Sequence, residues 1–262
     1  MKYIATISGG KDSVAMCDLL LKNGYPIDYI LFNDTGLEFK EMYKYIDKVE
    51  SYFKERYNKE IIRTKPKKTF EELIFGKRVR GQNEGKVKGF FSASIPFCDL
   101  RSYAKDYPTK EFLKKNNITE YTMYIGYTNN EKKRAKSYKD QNPNSIFPLI
   151  EYFDMSEDDC KRYLIEQEME NPLYRHFNRT GCKFCHYQSE DAWFKIWKYY
   201  NDEWQELKAL EQKLLEMDAV SPHIFLEHRT TDDMEKLFKA KDKQNSLFDF
   251  SDEPIKDCFC KI

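Results

Sequence analysis

The N-terminal part of this chain repeats one succession: a short apolar strand, a polar turn and a helical pattern. Residues 3–7 form an apolar run that ends at Ser8-Gly9-Gly10, and residues 12–23 then carry apolar side chains at helical spacing. Residues 27–33 form a second apolar run, which ends at Asp34-Thr35-Gly36 and precedes a longer helical pattern. This alternation of strands with helices predicts a parallel sheet.

Two later runs extend the predicted sheet. Ile61-Ile62 begins a third strand, and residues 121–125 form a further strand that ends at Gly126. We therefore expect an α/β fold, namely a Rossmann-like parallel sheet with helices on both faces and a helical C-terminal extension. Ligands of such sheets bind beyond the carboxyl ends of the strands, where Ser8, Asp34 and Gly126 are predicted to lie.

The composition excludes several classes of protein. The 262 residues are 40% hydrophobic, which provides for a sizeable core and excludes a disordered chain. No apolar run approaches the roughly 18 residues of a membrane span, and the first residues lack the apolar stretch of a signal peptide. We expect a cytoplasmic protein with no membrane partner. Its seven cysteines are too sparse for a disulfide scaffold and indicate thiols, metal ligands or redox chemistry.

Charge is balanced over the whole chain but not along it. Residues 63–139 contain 19 basic and 8 acidic residues. Two interpretations stay open: a surface that faces a polyanion such as nucleic acid, and ordinary solvated helix faces and loops. Within this region, residues 77–91 are rich in glycine and basic residues, which indicates either a mobile lid over a nucleotide or a surface insertion.

The chain changes character after Cys185. Residues 189–217 are predicted to form one long helix whose aromatic and leucine stripe packs in a core, with a stacking platform for bases as the alternative. Thr230 and Asp233 form a capping-box pattern at the start of a further helix. We predict two domains: an adenine-nucleotide-binding α/β domain over residues 1–188, and a helical C-terminal extension with a cysteine-containing tail over residues 189–262.

One turn contains the groups of an anion-binding site, namely Ser8-Gly9-Gly10-Lys11-Asp12-Ser13. It lies between a predicted strand and helix, where backbone N–H groups and the positive helix end attract phosphate. Its glycines allow close approach to the backbone, its serine hydroxyls add donors, and the spacing of a Walker loop is absent. The segment resembles the pyrophosphate loop of the ATP pyrophosphatase superfamily. This resemblance implies that residues 8–13 bind the phosphates of ATP with Mg²⁺ and that Lys11 stabilises the leaving pyrophosphate.

Two further segments resemble the branch of that superfamily related to phosphoadenosine phosphosulfate (PAPS) reductases. Asp34-Thr35-Gly36-Leu37-Glu38-Phe39 resembles its Asp-Thr-Gly-x-Glu-Phe segment, which implies nucleotide contacts for Thr35 and Gly36 and a catalytic role beside the phosphates or Mg²⁺ for Asp34. Residues 126–134 occupy the place of its Gly-x-Arg-x-x-Glu-Ser stretch but lack the arginine directly after the strand. Gly126 is expected to line the nucleotide site, with Lys133 or Arg134 in place of the missing arginine.

The cysteines extend this resemblance. Cys182 and Cys185 have the two-residue gap that lets both thiolates bind one metal, and they follow Asn171-Pro172-Leu173-Tyr174, as in the same branch. Cys98 resembles one cysteine of the Cys-Cys pair of iron–sulfur adenylylsulfate reductases, although Phe97 replaces the other. The resemblance thus implies a metal site of three cysteines, Cys98, Cys182 and Cys185.

Basic residues beside these cysteines are candidates for substrate binding. Arg101 and Lys105 follow Cys98 as the basic residues of the reductases follow their cysteine pair, which implies that they bind substrate. Arg179 directly precedes the Cys182–Cys185 segment and is a further candidate ligand of phosphate or sulfate.

The identity of the metal stays open. A [4Fe–4S] cluster on three cysteines leaves one iron for a sulfur to be transferred, as the resemblance to enzymes that thiolate tRNA or DNA implies; zinc with His186 or another thiol, and metal-free redox thiols, are the alternatives. Cys258 and Cys260 lie near the C-terminus, as does the catalytic cysteine of sulfonucleotide reductases. A catalytic thiol, a persulfide relay, a fourth metal ligand and an incidental pair all remain possible for them.

Three functions follow. The leading hypothesis is an enzyme that adenylates an acceptor with ATP, then transfers sulfur to it from the cluster or from a persulfide, with tRNA or DNA as acceptor and a sulfur-donor protein as partner. The first alternative is a sulfonucleotide reductase that produces sulfite through Cys258 or Cys260 and uses a thiol reductant protein. The second is a non-catalytic module that binds a nucleotide or zinc.

Overall fold

The computed structural model describes residues 1–91 and 99–247. Within these residues, five parallel strands form one sheet: β1 (Lys2–Ile7), β2 (Tyr29–Asn33), β3 (Ile61–Thr64), β4 (Tyr121–Tyr124) and β5 (Ser145–Ile146). Their spatial order is β3-β2-β1-β4-β5, and every neighbouring pair is parallel. The change of direction in strand order occurs at β1, because β2 lies on one side of it and β4 on the other.

Eleven helices accompany the sheet in the described residues. They are α1 (Lys11–Lys22), α2 (Lys40–Tyr57), α3 (Phe70–Ile74), α4 (Asp99–Arg101), α5 (Tyr107–Lys115), α6 (Lys132–Gln141), α7 (Pro148–Glu151), α8 (Glu157–Glu166), α9 (Glu190–Tyr199), α10 (Asn201–Glu216) and α11 (Thr231–Leu247). A π-helical turn, Ser102–Asp106, joins α4 to α5, and short 3₁₀ turns span Asn129–Glu131, Pro172–Arg175 and Leu226–His228. No helix of the described ranges is both long and apolar enough to cross a bilayer.

Helices cover both faces of the sheet. On one face, Ile4 of β1 and Leu31 of β2 pack with Leu113 of α5 and Met123 of β4. The connections through α1 and α2 run between adjacent parallel strands. Because such crossovers are right-handed almost without exception, these two helices belong to the other face. The predicted α/β fold with a parallel sheet and a helical C-terminal part is confirmed.

Contacts divide the chain into two compact units. The first comprises Met1–Lys67 and Arg101–Thr180 and contains the whole sheet; the second comprises Lys68–Leu100 and Gly181–Ile262 and contains α3, α9, α10 and α11. In the second unit, residues 77–91 are held by an antiparallel bridge between Lys77 and Val87, and Gly89 pairs with Ser221. The role of this segment as a lid stays a prediction.

The prediction of one helix over residues 189–217 is wrong. Helix α9 ends at Tyr199 and α10 begins at Asn201, because Tyr200 between them has a non-helical backbone with φ −129° and ψ 56°. Tyr200 is nevertheless buried, as are Trp193 and Trp204 on either side. The buried stripe therefore continues across the break, which confirms its interpretation as core and explains why its spacing does not reveal two helices.

The predicted start of α11 is confirmed. Thr230 Oγ1 accepts a hydrogen bond from the backbone N of Asp233 at 3.1 Å, and Asp233 Oδ2 accepts one from the backbone N of Thr230 at 3.1 Å. Each side chain thus satisfies an N–H group that the first turn of the helix leaves without a partner.

Candidate active site

Two serine hydroxyls hold the loop between β1 and α1. Ser13 Oγ accepts a hydrogen bond from the backbone N of Ser8 at 3.1 Å and donates one to the carbonyl of Gly10 at 3.0 Å. Ser8 Oγ accepts a bond from the backbone N of Gly10 at 3.4 Å. The loop therefore keeps one backbone arch at the N-terminal end of α1, where the helix dipole favours an anion.

The residue at position 9 has to be glycine. Its φ of +76° lies in the left-handed region, and a Cβ placed on it would lie 2.2 Å from Met42 Sδ. Its carbonyl accepts a hydrogen bond from Asn171 Nδ2 at 2.8 Å. Gly9 is thus fixed by α2 on one side and by the segment before the cysteines on the other.

Asn171 and Tyr174 anchor this loop, and no role was predicted for either. Asn171 is 1% exposed and also accepts a bond from the backbone N of Leu173, which leaves its amide aimed at Gly9. The hydroxyl of Tyr174 accepts a hydrogen bond from the backbone N of Lys11 at 2.9 Å. Their signal in the sequence is the run Asn-Pro-Leu-Tyr, which indicates a family but does not reveal that it contacts residues 9 and 11.

Lys11 is buried among carboxylates. Its Nζ lies 2.9 Å from Glu157 Oε2 and 3.9 Å from Asp12 Oδ1, and 5.4 Å from the centroid of the Tyr174 ring. Burial lowers the pKa of this ammonium group, but the charge of Asp12 and the hydrogen bond to Glu157 outweigh burial and raise it above its ordinary value. Lys11 therefore stays protonated and places a positive charge beside the phosphate loop.

Burial changes the titration of Asp12, the residue next to Lys11 in the phosphate loop. Burial raises its pKa to about 7, with Lys11 opposing the rise and Glu157 and Glu131 adding to it. Its Oδ1 is buried and has no hydrogen-bond partner among the described residues. A carboxyl group with a pKa near 7 can accept or release a proton at neutral pH, as general acid–base chemistry requires.

The end of β2 forms a second polar turn. Asp34 Oδ1 accepts hydrogen bonds from the backbone N of Gly36 at 2.9 Å and from the hydroxyl of Tyr43 at 2.8 Å. Thr35 Oγ1 donates to Glu38 Oε1 at 2.8 Å, and both side chains are buried. Burial raises the pKa of Glu38, with the charge of Lys105 opposing it. The predicted residues Asp34, Thr35 and Gly36 therefore lie together in one turn.

The end of β4 contacts the phosphate loop directly. A Cβ on Gly126 would lie 2.8 Å from Ser13 Cα, so this strand end packs on the backbone of the loop. Arg134, which was expected to replace a missing arginine, instead donates to Glu131 Oε1 at 2.6 Å and stacks 4.6 Å from the centroid of the Tyr127 ring. Lys133 is exposed. The structure thus brings Gly126 to the loop, whereas Arg134 has partners of its own.

The three predicted substrate-binding side chains lie on the surface of the first unit. Arg179 is exposed and close enough to Asp12 to lower its pKa, which places it beside the phosphate loop. The charge of Lys105 likewise lowers the pKa of Glu38. The charge of Arg101 lowers the pKa of Tyr138 of α6, a residue outside the predicted site. Arg179 is therefore the predicted substrate-binding residue that lies next to the loop.

The cysteine pair belongs to the second unit. Cys182 and Cys185 are half-buried in one turn, in which the backbone N of Cys185 donates to the carbonyl of Cys182 at 3.2 Å and Gln188 Nε2 donates to the same carbonyl at 2.8 Å. Two thiols on a hydrogen-bonded turn suit iron or zinc. The remaining predicted ligand, Cys98, and the predicted catalytic residues Cys258 and Cys260 lie outside the described residues. Residues 1–91 and 99–247 contain no group of three candidate metal ligands.

Two other cysteines are packing residues. Cys17 of α1 and Cys160 of α8 are fully buried, and burial raises the pKa of both thiols far above the ordinary value. Thiols of this kind are poor nucleophiles and poor metal ligands. Both are therefore core residues rather than candidates for the metal site or for catalysis.

The phosphate loop and the strand ends beside it lie in a region that matches a known protein family. Residues 2–188 match the model of the phosphoadenosine phosphosulfate reductase domain. The chain belongs to this family. The match covers the strand-end turns, the Asn-Pro-Leu-Tyr run and the cysteine pair, and it confirms the PAPS reductase-like resemblance inferred from these residues.

Two curated relatives of this PAPS reductase-like chain carry no assigned function in their names. Two uncharacterized proteins of Methanocaldococcus jannaschii, MJ0066 and MJ0973, are 28% identical over 78% of the chain and 30% identical over 69% of it. Each match covers 40% of the relative, so the chain spans about two fifths of the length of these proteins. A crystal structure of PAPS reductase from Candida auris in complex with phosphate aligns with a TM-score of 0.44 and 16% identity, covering 70% of this chain and 81% of that one.

Proposed function

We propose that this PAPS reductase-like chain binds ATP on residues 8–13 and cleaves it between the α and β phosphates to adenylate an acceptor. The observation that carries the proposal is the loop itself. Its arch is fixed by Ser8 and Ser13 from within and by Asn171 and Tyr174 from outside, so the backbone that leads into the first turn of α1 is set before a phosphate arrives. Donors oriented in advance stabilise charge that develops during a reaction.

In the proposed reaction, an oxygen of the acceptor attacks the α phosphorus. The bond between this phosphorus and the bridging oxygen breaks, and pyrophosphate leaves with the electron pair. Lys11 and the N–H groups at the start of α1 stabilise the leaving group, and Asp12 accepts the proton of the acceptor. Mg²⁺ brought in with the nucleotide would neutralise phosphate charge, and the carboxylate of Asp34 at this edge of the sheet suits such a cation.

A second step transfers sulfur in this proposal. The adenylated oxygen is a good leaving group, so a nucleophilic sulfur displaces AMP from the acceptor. Cys182 and Cys185, together with Cys98, would hold a [4Fe–4S] cluster, or zinc in the alternative, and a cluster on three cysteines offers one iron that can bind the sulfur to be transferred. A persulfide on Cys258 or Cys260, formed with a sulfur-donor protein, is the other source of sulfur. Its outer sulfur would displace AMP and form a disulfide with the acceptor, and the second of these two thiols would attack that disulfide, releasing the thiolated acceptor and leaving a disulfide between the two cysteines.

The acceptor that we propose is nucleic acid, either tRNA or DNA. The excess of basic residues over residues 63–139 supports this choice, because lysines of this region point into solvent on α5 and α6: Lys110, Lys114, Lys115, Lys132, Lys133 and Lys136. Exposed lysines bind the phosphate backbone and release its counterions, so affinity for nucleic acid is expected to fall steeply with salt.

Sulfonucleotide reduction is the second candidate function, and the matching family model favours it. In that reaction the chain would bind adenylyl sulfate rather than ATP, and a C-terminal thiol would attack the sulfate sulfur before a thiol reductant protein releases sulfite. Turnover of adenylyl sulfate to sulfite that is lost in Cys258→Ser or in Cys260→Ser would favour this reaction over adenylation.

The proposed activity is tested by pyrophosphate release from ATP. We expect release to require tRNA or DNA, and to fall by about 100-fold or more in Lys11→Ala, since removing one group that stabilises the leaving charge costs this much. Lys44→Ala is the matched control, because Lys44 is an exposed lysine of α2 in the same unit. Equal loss in both variants, or no release with any acceptor, would contradict adenylation.

The metal is tested by elemental analysis of protein purified without oxygen. Iron and acid-labile sulfide near four per chain are expected, and Cys182→Ser should lose most of both. Cys160→Ala, which removes a core thiol, should keep them. Zinc in place of iron would leave adenylation possible but remove the cluster as the source of sulfur.

A further inference from the structure

The charge of Lys11 is paired with a carboxylate that no sequence motif indicates. Lys11 Nζ donates to Glu157 Oε2 at 2.9 Å, and the Lys11 side chain is only 10% exposed. An ammonium group has three N–H bonds, and burial leaves few directions from which a further acceptor can approach. A phosphate that binds Lys11 therefore competes with Glu157 for the same group.

The backbone of Glu157 is fixed, whereas its carboxylate has room to move. Glu157 is the first residue of α8, and its backbone N donates to Asn130 Oδ1 at 3.0 Å. Ser156 and Asp159 form a capping box around it. Its own side chain is 31% exposed. The carboxylate can therefore leave Lys11 by rotation of the side chain alone, without movement of α8.

Electrostatics link this rotation to nucleotide binding. Asp12 and Glu157 already surround Lys11 with negative charge, and Lys11 and Arg179 supply the positive charge at this place. Each phosphate charge added at the loop repels the carboxylate of Glu157, and this repulsion is strong because the site is largely buried.

We propose that Glu157 is an internal competitor for Lys11, whose carboxylate a bound polyphosphate displaces, and that Glu157 thereby sets the affinity for nucleotides according to their phosphate charge. This inference rests on the proposed function, since it takes residues 8–13 to be the nucleotide site. Glu157 is a positioning residue and contacts the substrate only through Lys11.

The test compares two carboxylates in the same turn of α8. Glu157→Gln removes the competing charge but keeps the size of the side chain. Asp158→Asn removes the same charge from the neighbouring exposed residue, so it controls for the overall field and for the helix dipole. Dissociation constants for ATP, ADP, AMP and adenosine are measured by calorimetry on the whole chain at 0.1 M salt.

Glu157→Gln is expected to bind ATP about tenfold more tightly than the wild type, with a smaller gain for AMP and none for adenosine. Asp158→Asn should change each constant less than about twofold. Glu157→Asp keeps the negative charge but places it farther from Lys11. Its affinity for ATP should therefore lie between those of the wild type and Glu157→Gln. A purely structural role for Glu157 would not produce gains that increase with phosphate charge.

The outcomes separate the inference from the proposed function. If the wild type binds ATP and Glu157→Gln binds it no more tightly than Asp158→Asn does, the inference is wrong and the nucleotide site stands. If Glu157→Gln binds ATP more weakly, Glu157 supports binding and is no competitor. If no variant binds ATP, the proposed function is wrong and the inference fails with it.

Discussion

Gly9→Ala is expected to lower the free energy of unfolding by about 3 kcal/mol and to abolish nucleotide binding. Two independent effects contribute. The φ of +76° costs an L residue about 1 kcal/mol, and the new Cβ would lie 2.2 Å from Met42 Sδ and 3.3 Å from Ile46 Cδ1. Met42 and Ile46 are themselves fully buried, so neither side chain can yield without moving its neighbours.

Gly24→Ala is the matched control for the backbone effect. Gly24 has a φ of +72°, nearly that of Gly9, but a Cβ placed on it meets nothing within 4 Å. Urea unfolding of the two variants separates the cost of the left-handed backbone, which both share, from the cost of the overlap with α2. Equal loss of stability in the two variants would show that α2 does not press on the phosphate loop.

Asp12→Asn is expected to stabilise the protein at neutral pH while it reduces pyrophosphate release about 100-fold or more. Burial raises the pKa of Asp12 from its ordinary value of 3.8 to about 7 in the folded chain. Between these values the folded chain binds more protons than the unfolded chain, so the contribution of Asp12 to stability falls as pH rises from about 4 to about 7. Above pH 7 the Asp12 carboxyl group is ionised in the folded chain, and its unfavourable contribution to stability no longer changes with pH.

The measurement is the difference in the free energy of unfolding between wild type and Asp12→Asn from pH 4 to pH 8. We expect a gain of about 1–2 kcal/mol at pH 8 that shrinks toward pH 4, where the carboxyl group is protonated in the folded chain. Asp158→Asn, which removes an exposed carboxylate from the same unit, is the matched control. A pH-independent difference for Asp12→Asn would mean that burial does not oppose its charge. A gain in stability coupled to a loss of activity would mark Asp12 as a residue kept for function at the expense of stability.

Elements with strong local patterns were predicted well. Helix α2 follows from the spacing of Met42, Ile46, Val49 and Phe53, all of which are buried in the structure, and the cap of α11 follows from Thr230 and Asp233 alone. The break at Tyr200 was not predicted, because the apolar spacing on its two sides stays in phase while one residue leaves the helical backbone region. Periodicity reports which side chains are buried, and it does not report the backbone conformation of a single residue.

The sequence by itself determined strand β1, the turn at residues 8–13 and helix α1. These three elements depend on the apolar spacing, the glycines and the hydroxyl groups of neighbouring residues. The sequence also determined the family, because the Ser-Gly-Gly-Lys-Asp-Ser turn and the Asp-Thr-Gly and Asn-Pro-Leu-Tyr runs are present although one arginine of the family is not. Only the tertiary structure decided which groups complete the site. Tyr174, Asn171 and Glu157 reach residues 9 and 11 from far along the chain, and Arg134 pairs with Glu131. Such contacts depend on how α8 and the Asn-Pro-Leu-Tyr turn pack near α1, and local periodicity contains no information about that packing.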